Sequence, residues 1–225
     1  MLDYFTVNTV AELGCFIVAF ICIADDKNFI WQCMALYSFI TFVAEITGIF
    51  ISGPAHLNSN HWVYNIFLIC ESLFNLLMLA HLISRYSGNK YIMLPGGIIF
   101  IIAYLWEIFT HPCCQIFSIY NNRTYAIMSV VFVLYSLYFY YLLIKDDLHV
   151  ALKYSPEFWW TAGTLFFYFA VTASNIFYDN LSRIFMNGYH LTHYIFRILN
   201  VILYTSWSYS FICRRWLKTT SENLS

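Results

Sequence analysis

Polar and apolar positions along this chain are sorted into long blocks. Seven apolar stretches, at about residues 5–24, 29–52, 62–83, 91–110, 124–144, 158–178 and 190–212, alternate with breaks rich in charged residues, Gly, Pro and Asn. Each stretch is long enough to cross about 30 Å of hydrocarbon as a helix, which takes ~20 residues. The breaks, among them Asp25–Asn28 and Lys145–Glu157, run to about a dozen residues at most and leave no room for a soluble domain. The pattern predicts an all-α fold: one domain over residues 1–225, a polytopic membrane protein built as a bundle of seven transmembrane helices.

Composition narrows the class. Of 225 residues, 61% are hydrophobic, 21% are aromatic and only 10% are charged, against the ~25% charged residues of a soluble domain. That excludes a disordered tail, a secreted disulfide scaffold and a nucleic-acid-binding protein, and it makes the lipid bilayer the first partner. Of the seven cysteines, those in or beside spans are expected to pack as small hydrophobes; Cys113 and Cys114 fall in a break.

The net charge of −1 says little, but its distribution gives an orientation. With alternating spans, Lys27, Arg85, Lys90, Lys145, Lys153, Arg214, Arg215 and Lys218 share one side, while Arg123 and Arg183 lie on the side of the N-terminus. Basic loops stay in the cytoplasm, so the N-terminus is expected outside and the C-terminus inside. Aromatic residues near span ends, including Trp31, Trp62, Tyr91, Trp159, Trp160 and Trp216, suit the interfacial belt.

Five ionisable residues interrupt the apolar runs. Glu12, Glu45, Glu71 and Glu107 lie one each in the first four spans, and Arg197 lies in the seventh. At the centre of a spanning helix each costs roughly 2.5 to 3.5 kcal/mol, so such groups face a bundle interior or a wet cavity. With a rise of 1.5 Å per residue, all five fall at depths of about 5 to 14 Å from the outer surface.

Helical phase groups further polar residues with them. His190, His193, Arg197, Asn200 and Tyr204 fall within about 80° of arc on the seventh span, and Thr161, Thr164, Tyr168, Thr172, Asn175 and Asp179 within a similar arc on the sixth. On the third, His61, Asn65, Glu71, Ser72 and Asn75 spread over about 120°. The expected site is a polar cavity open to the outer side, walled by spans one, two, three, six and seven. Its ligand-binding residues are Glu12, Glu45, Glu71, Asn75, Glu107, Asn175, His193 and Arg197, with Glu107 nearer the rim. The competing reading makes these polar groups interhelical glue; four carboxylates facing one guanidinium argue for something more.

Known seven-helix chemistries do not fit. The last span has no lysine before Lys218 in the tail, so no retinal is expected. Zinc hydrolases of the alkaline ceramidase and adiponectin receptor type carry His-x-x-x-His on the last helix, whereas His190 and His193 are spaced by three, and His81 falls at the opposite membrane face. A divalent site from Glu71, His193 and Glu12 or Glu45 would favour hard cations over zinc. No cofactor is predicted.

The segment Asn60-His61-Trp62-Val63-Tyr64-Asn65-Ile66-Phe67, followed by Glu71, resembles small seven-helix inner-membrane proteins of bacteria that have no assigned activity. The resemblance implies a bacterial inner membrane and nothing catalytic. The leading functional expectation is therefore binding or sensing of a small ligand or cation, relayed to a cytoplasmic signalling partner. A proton or small-cation transporter comes second, and an intramembrane enzyme third.

Overall fold

The computed structural model describes residues 6–52, 60–89, 91–110, 119–145, 152–181, 183–186 and 189–222. Cys113, Cys114 and Lys90 lie outside the described residues, as do the side chains of Asp179 and Lys218. The chain is almost entirely helical, with long helices α1 (Val7–Ile23), α2 (Phe29–Ser52), α3 (His61–Ser87), α4 (Met93–Thr110), α5 (Asn122–Lys145) and α6 (Pro156–Ile176). A four-residue helix, α7 (Tyr178–Leu181), and an antiparallel pair of two-residue strands, β1 (Phe185–Met186) and β2 (Tyr189–His190), lead into α8 (Leu191–Glu222).

Local chemistry sets several of these ends. Thr6 caps α1, its hydroxyl accepting from the Thr9 amide at 3.2 Å. Ser155 caps α6 by accepting from the Phe158 amide at 3.2 Å, and Pro156 in the first turn supplies a φ already suited to the helix. Gly88 stops α3 in the left-handed region at φ 67°, where its amide donates to the Ser84 carbonyl at 2.9 Å. Helix α8, with 32 residues, continues ten positions past the expected end at 212 and is about 48 Å long.

Four helices, α2, α3, α4 and α5, are long and apolar enough to cross a membrane. Helix α1 is apolar but has only 17 residues. Helices α6 and α8 carry the polar faces of the sixth and seventh spans, which lowers their hydropathy. Outward faces are strongly apolar: Phe20, Ile102, Trp106, Phe109 and Ile144 are all exposed, the last two by 82% and 84%. Apolar exposure on this scale suits a lipid surround and not water.

Packing orders the helices as a closed ring, α1–α2–α3–α5–α6–α8 and back to α1. Helix α4 stands outside that ring against α5 and α3. Since lipid tails are as apolar as any side chain, shape and hydrogen bonds have to hold such a ring together. Trp160 of α6 and Trp207 of α8 stack with centroids 5.6 Å apart and planes at 8°, and the Trp207 indole donates to Thr164 Oγ1 at 3.1 Å. Trp31 and Trp160 are fully buried, so two of the residues expected in the interfacial belt belong to the core. Trp31 stands edge-on to the Phe211 ring and under the Arg214 guanidinium. At that end of the ring Arg214 makes two hydrogen bonds to Asp26, at 2.8 and 3.1 Å, and Arg85 pairs with Glu157 at 2.7 Å.

Candidate functional site

At the opposite end from the Asp26–Arg214 pair, the six ring helices enclose a cavity of about 190 Å³. Every helix of the ring contributes to its wall: Glu12 from α1, Glu45 from α2, Glu71 from α3, Tyr125 from α5, Tyr168 from α6 and Asn200 from α8. Alternating helix direction puts these positions in the same half of the bundle, near the start of α1, α3, α5 and α8 and toward the end of α2 and α6. The lining includes three carboxylates, six tyrosines and three phenylalanines, with no lysine or arginine.

Each carboxylate has its own setting. Glu71 is buried, and Tyr168 donates to its Oε1 at 2.6 Å. Asn75, one turn further along α3, donates both to the Tyr168 hydroxyl at 3.1 Å and to the Glu71 carbonyl at 2.9 Å. Tyr64 donates to Glu45 Oε2 at 3.2 Å. That tyrosine reaches α2 because Gly48 has no side chain: a Cβ there would lie 2.8 Å from Tyr64 Cζ. Glu12 is only 5% exposed, and its Oε2 is buried with no hydrogen-bond partner among the described residues.

The remaining expected site residues are dispersed. Asn75 supports the wall from behind through Tyr168 and is not itself part of the lining. Glu107 is not at the rim. Its Oε1 accepts from the Arg123 amide at 3.0 Å, and its Oε2 accepts from the Thr124 amide and hydroxyl, both at 2.7 Å. It thus satisfies the free N–H groups at the start of α5, where a negative charge also suits the helix dipole. Asn175, His193 and Arg197 do not line the cavity. Asn175 Nδ2 is buried without a hydrogen-bond partner among the described residues, and the His193 ring stands edge-on to Tyr194. Among the described residues Arg197 forms no ion pair with a glutamate, whereas Arg85 pairs with Glu157 and Arg214 with Asp26. His193 therefore does not complete a divalent site with Glu71, and no group of three or more His, Cys, Asp or Glu among the described residues is placed to hold a metal ion.

The phenols carry most of what the polar pattern did not show. Tyr168 and Tyr204 already stood on polar helical faces, but Tyr120 and Tyr125 had no mark beyond their residue type. A tyrosine in a span serves packing, belt and hydrogen bonding equally well, so only its neighbours assign it. No protein-family model matches this chain, and no curated protein or solved structure shows significant similarity to it.

Proposed function

We propose that this chain is a seven-span protein of the bacterial inner membrane, with the N-terminus outside and the C-terminus in the cytoplasm, that binds a small ligand or cation in a polar cavity open to the outer side. The observation that carries the reading is the meeting of Glu12, Glu45 and Glu71, from three separate helices, on one cavity whose lining has no basic residue. Carboxylates in a membrane bundle are costly, and glue alone requires no void between them. Orientation rests on the eight basic residues assigned to one side, and the bacterial location rests on the resemblance of residues 60–67. A signal from the cavity passes to a cytoplasmic partner at the basic inner face.

The cavity favours binding over transport. A transporter needs a polar route through the other half of the ring, and there Trp31, Met34, Leu82, Ile83 and Phe211 fill the core with no exposed surface. An intramembrane enzyme using His193 as base is disfavoured in turn, because that ring is not on the cavity wall.

The test is tryptophan and tyrosine fluorescence of the detergent-purified protein, titrated with a panel of monovalent and divalent cations and small polar solutes. At least one member should change the emission saturably, and Glu71→Gln should remove the response while the protein still melts cooperatively. A flat response over the whole panel rejects the reading.

A further inference from the structure

The cavity's chemistry discriminates between kinds of cation. Resting on the preceding reading, we infer that its occupant is a small organic ammonium ion, and not a metal ion. Three observations converge.

The first is the spread of the carboxylates. A metal ion needs several oxygen ligands drawn to within about 2.6 Å of one point. Here Glu45 is engaged by Tyr64 and Glu71 by Tyr168, and no group of three or more His, Cys, Asp or Glu among the described residues is placed to hold a metal ion. An extended molecule can reach separated carboxylates where a single ion cannot.

The second is the wall itself. Nine of the lining residues are aromatic, and aromatic faces attract ammonium groups within about 6 Å of the ring centroid while also packing against carbon. Tyr37 is stacked at 8° on Phe67, with centroids 6.1 Å apart, so ring carbon as well as hydroxyl groups borders the space. At about 190 Å³ the space exceeds the ~150 Å³ cavity that accepts a benzene ring. It suits a molecule of a few heavy atoms better than a lone ion.

The third is Glu12. Its Oε2 is buried, unpartnered among the described residues, and belongs to a side chain on the cavity wall. A buried acceptor without a donor is an expensive arrangement, and an ammonium N–H is the donor that would satisfy both its hydrogen bonding and its charge. With no lysine or arginine in the lining, the wall supplies no cation of its own for that role.

The experiment is a thermal-shift titration of the full chain in detergent at fixed ionic strength. The probes are ethylammonium, 1,4-diaminobutane and tetramethylammonium, against magnesium, calcium and manganese ions, with 1-butanol as the uncharged control. At least one ammonium should raise the melting midpoint in proportion to the logarithm of its concentration, with metals and butanol without effect. Glu12→Gln should weaken the binding at least about tenfold. Ala44→Leu, which fills space at the wall without altering a charge, should abolish it and provides the reading should the Glu12 variant fail to fold. Stabilisation by a metal but by no ammonium overturns this inference and leaves the ligand-binding cavity standing. No stabilisation by any cation, ammonium or metal, overturns the inference and leaves the cavity reading to the polar solutes of the fluorescence panel. An ammonium effect unchanged in both variants places the binding elsewhere and overturns the inference.

Discussion

Tyr168 and Glu71, 97 positions apart in the chain, meet at 2.6 Å, so that a phenol on α6 donates to a carboxylate on α3 across the bundle. Helix α5 lies between these two helices in the ring, and the bond therefore ties non-adjacent helices directly across the cavity wall. Asn75 braces it by donating to the same hydroxyl.

Removing that phenol should be felt as stability. Tyr168→Phe keeps the ring but strips the donor from Glu71 and the acceptor from Asn75, and it should destabilise the protein by about 1 to 2 kcal/mol. Thermal or denaturant unfolding in detergent checks this. Thr172→Ala is the matched control, because the Thr172 hydroxyl only returns to the Tyr168 carbonyl of its own helix; its change should stay within about 0.5 kcal/mol.

Glu107 separates structural from binding carboxylates. Glu107→Ala removes three hydrogen bonds at the start of α5 and should cost about 1 to 2 kcal/mol. Ligand affinity, measured as midpoint shift against concentration, should stay at the wild-type value. A loss of affinity comparable with that of Glu71→Gln would return Glu107 to the site.

Arg214 should resist conservative replacement. Its guanidinium holds Asp26 through two nitrogens and sits 5.3 Å from the centre of the Trp31 ring. Arg214→Lys preserves the charge but neither the paired geometry nor the stacking. A loss of about 1 to 3 kcal/mol is expected, readable as a lower melting midpoint, with cavity affinity unchanged because the pair lies at the other end of the ring.

Gly48 tests whether the position of Tyr64 matters. A methyl group at this residue would displace the Tyr64 ring and move its hydroxyl off Glu45. Gly48→Ala should therefore both destabilise by about 1 to 3 kcal/mol and weaken ligand binding, whereas Gly97→Ala, which meets open space, should do neither.

Orientation is checked by fusing a reporter to the C-terminus. A reporter active only in the cytoplasm should work there, and one active only after export should not, as the basic residues near the ends of α3, α5 and α8 require. The opposite result would reverse the membrane orientation and place the cavity on the inner side.

Some of this was legible in the chain because it depends on neighbours along the chain. Apolar runs long enough to span are local facts, so the helices of α2 through α5 could be read directly, and helical rise alone put Glu12, Glu45 and Glu71 in the same half of the bundle. Phase likewise marked the inward faces of α3 and α6, where Asn65, Ser72, Thr161 and Thr164 are buried.

Neighbourhood across the bundle was decided by tertiary structure. Helical phase says which face is polar and nothing about which helix lies opposite. Ring order places α4 outside, so Glu107 meets the start of α5 and not the cavity. The same order brings α5 into the wall, where Tyr125 and the preceding Tyr120 join it, although amphipathic phenols give no periodic signal that distinguishes a lining residue from a packed one. It also leaves Arg197 and His193 off the wall, although Asn200 and Tyr204 of the same polar face line it. Local pattern alone establishes an apolar helical chain with its intramembrane glutamates in one half of the bundle. Which of those glutamates share a space depended on how six helices close into a ring, a property of distant contacts that no local pattern encodes.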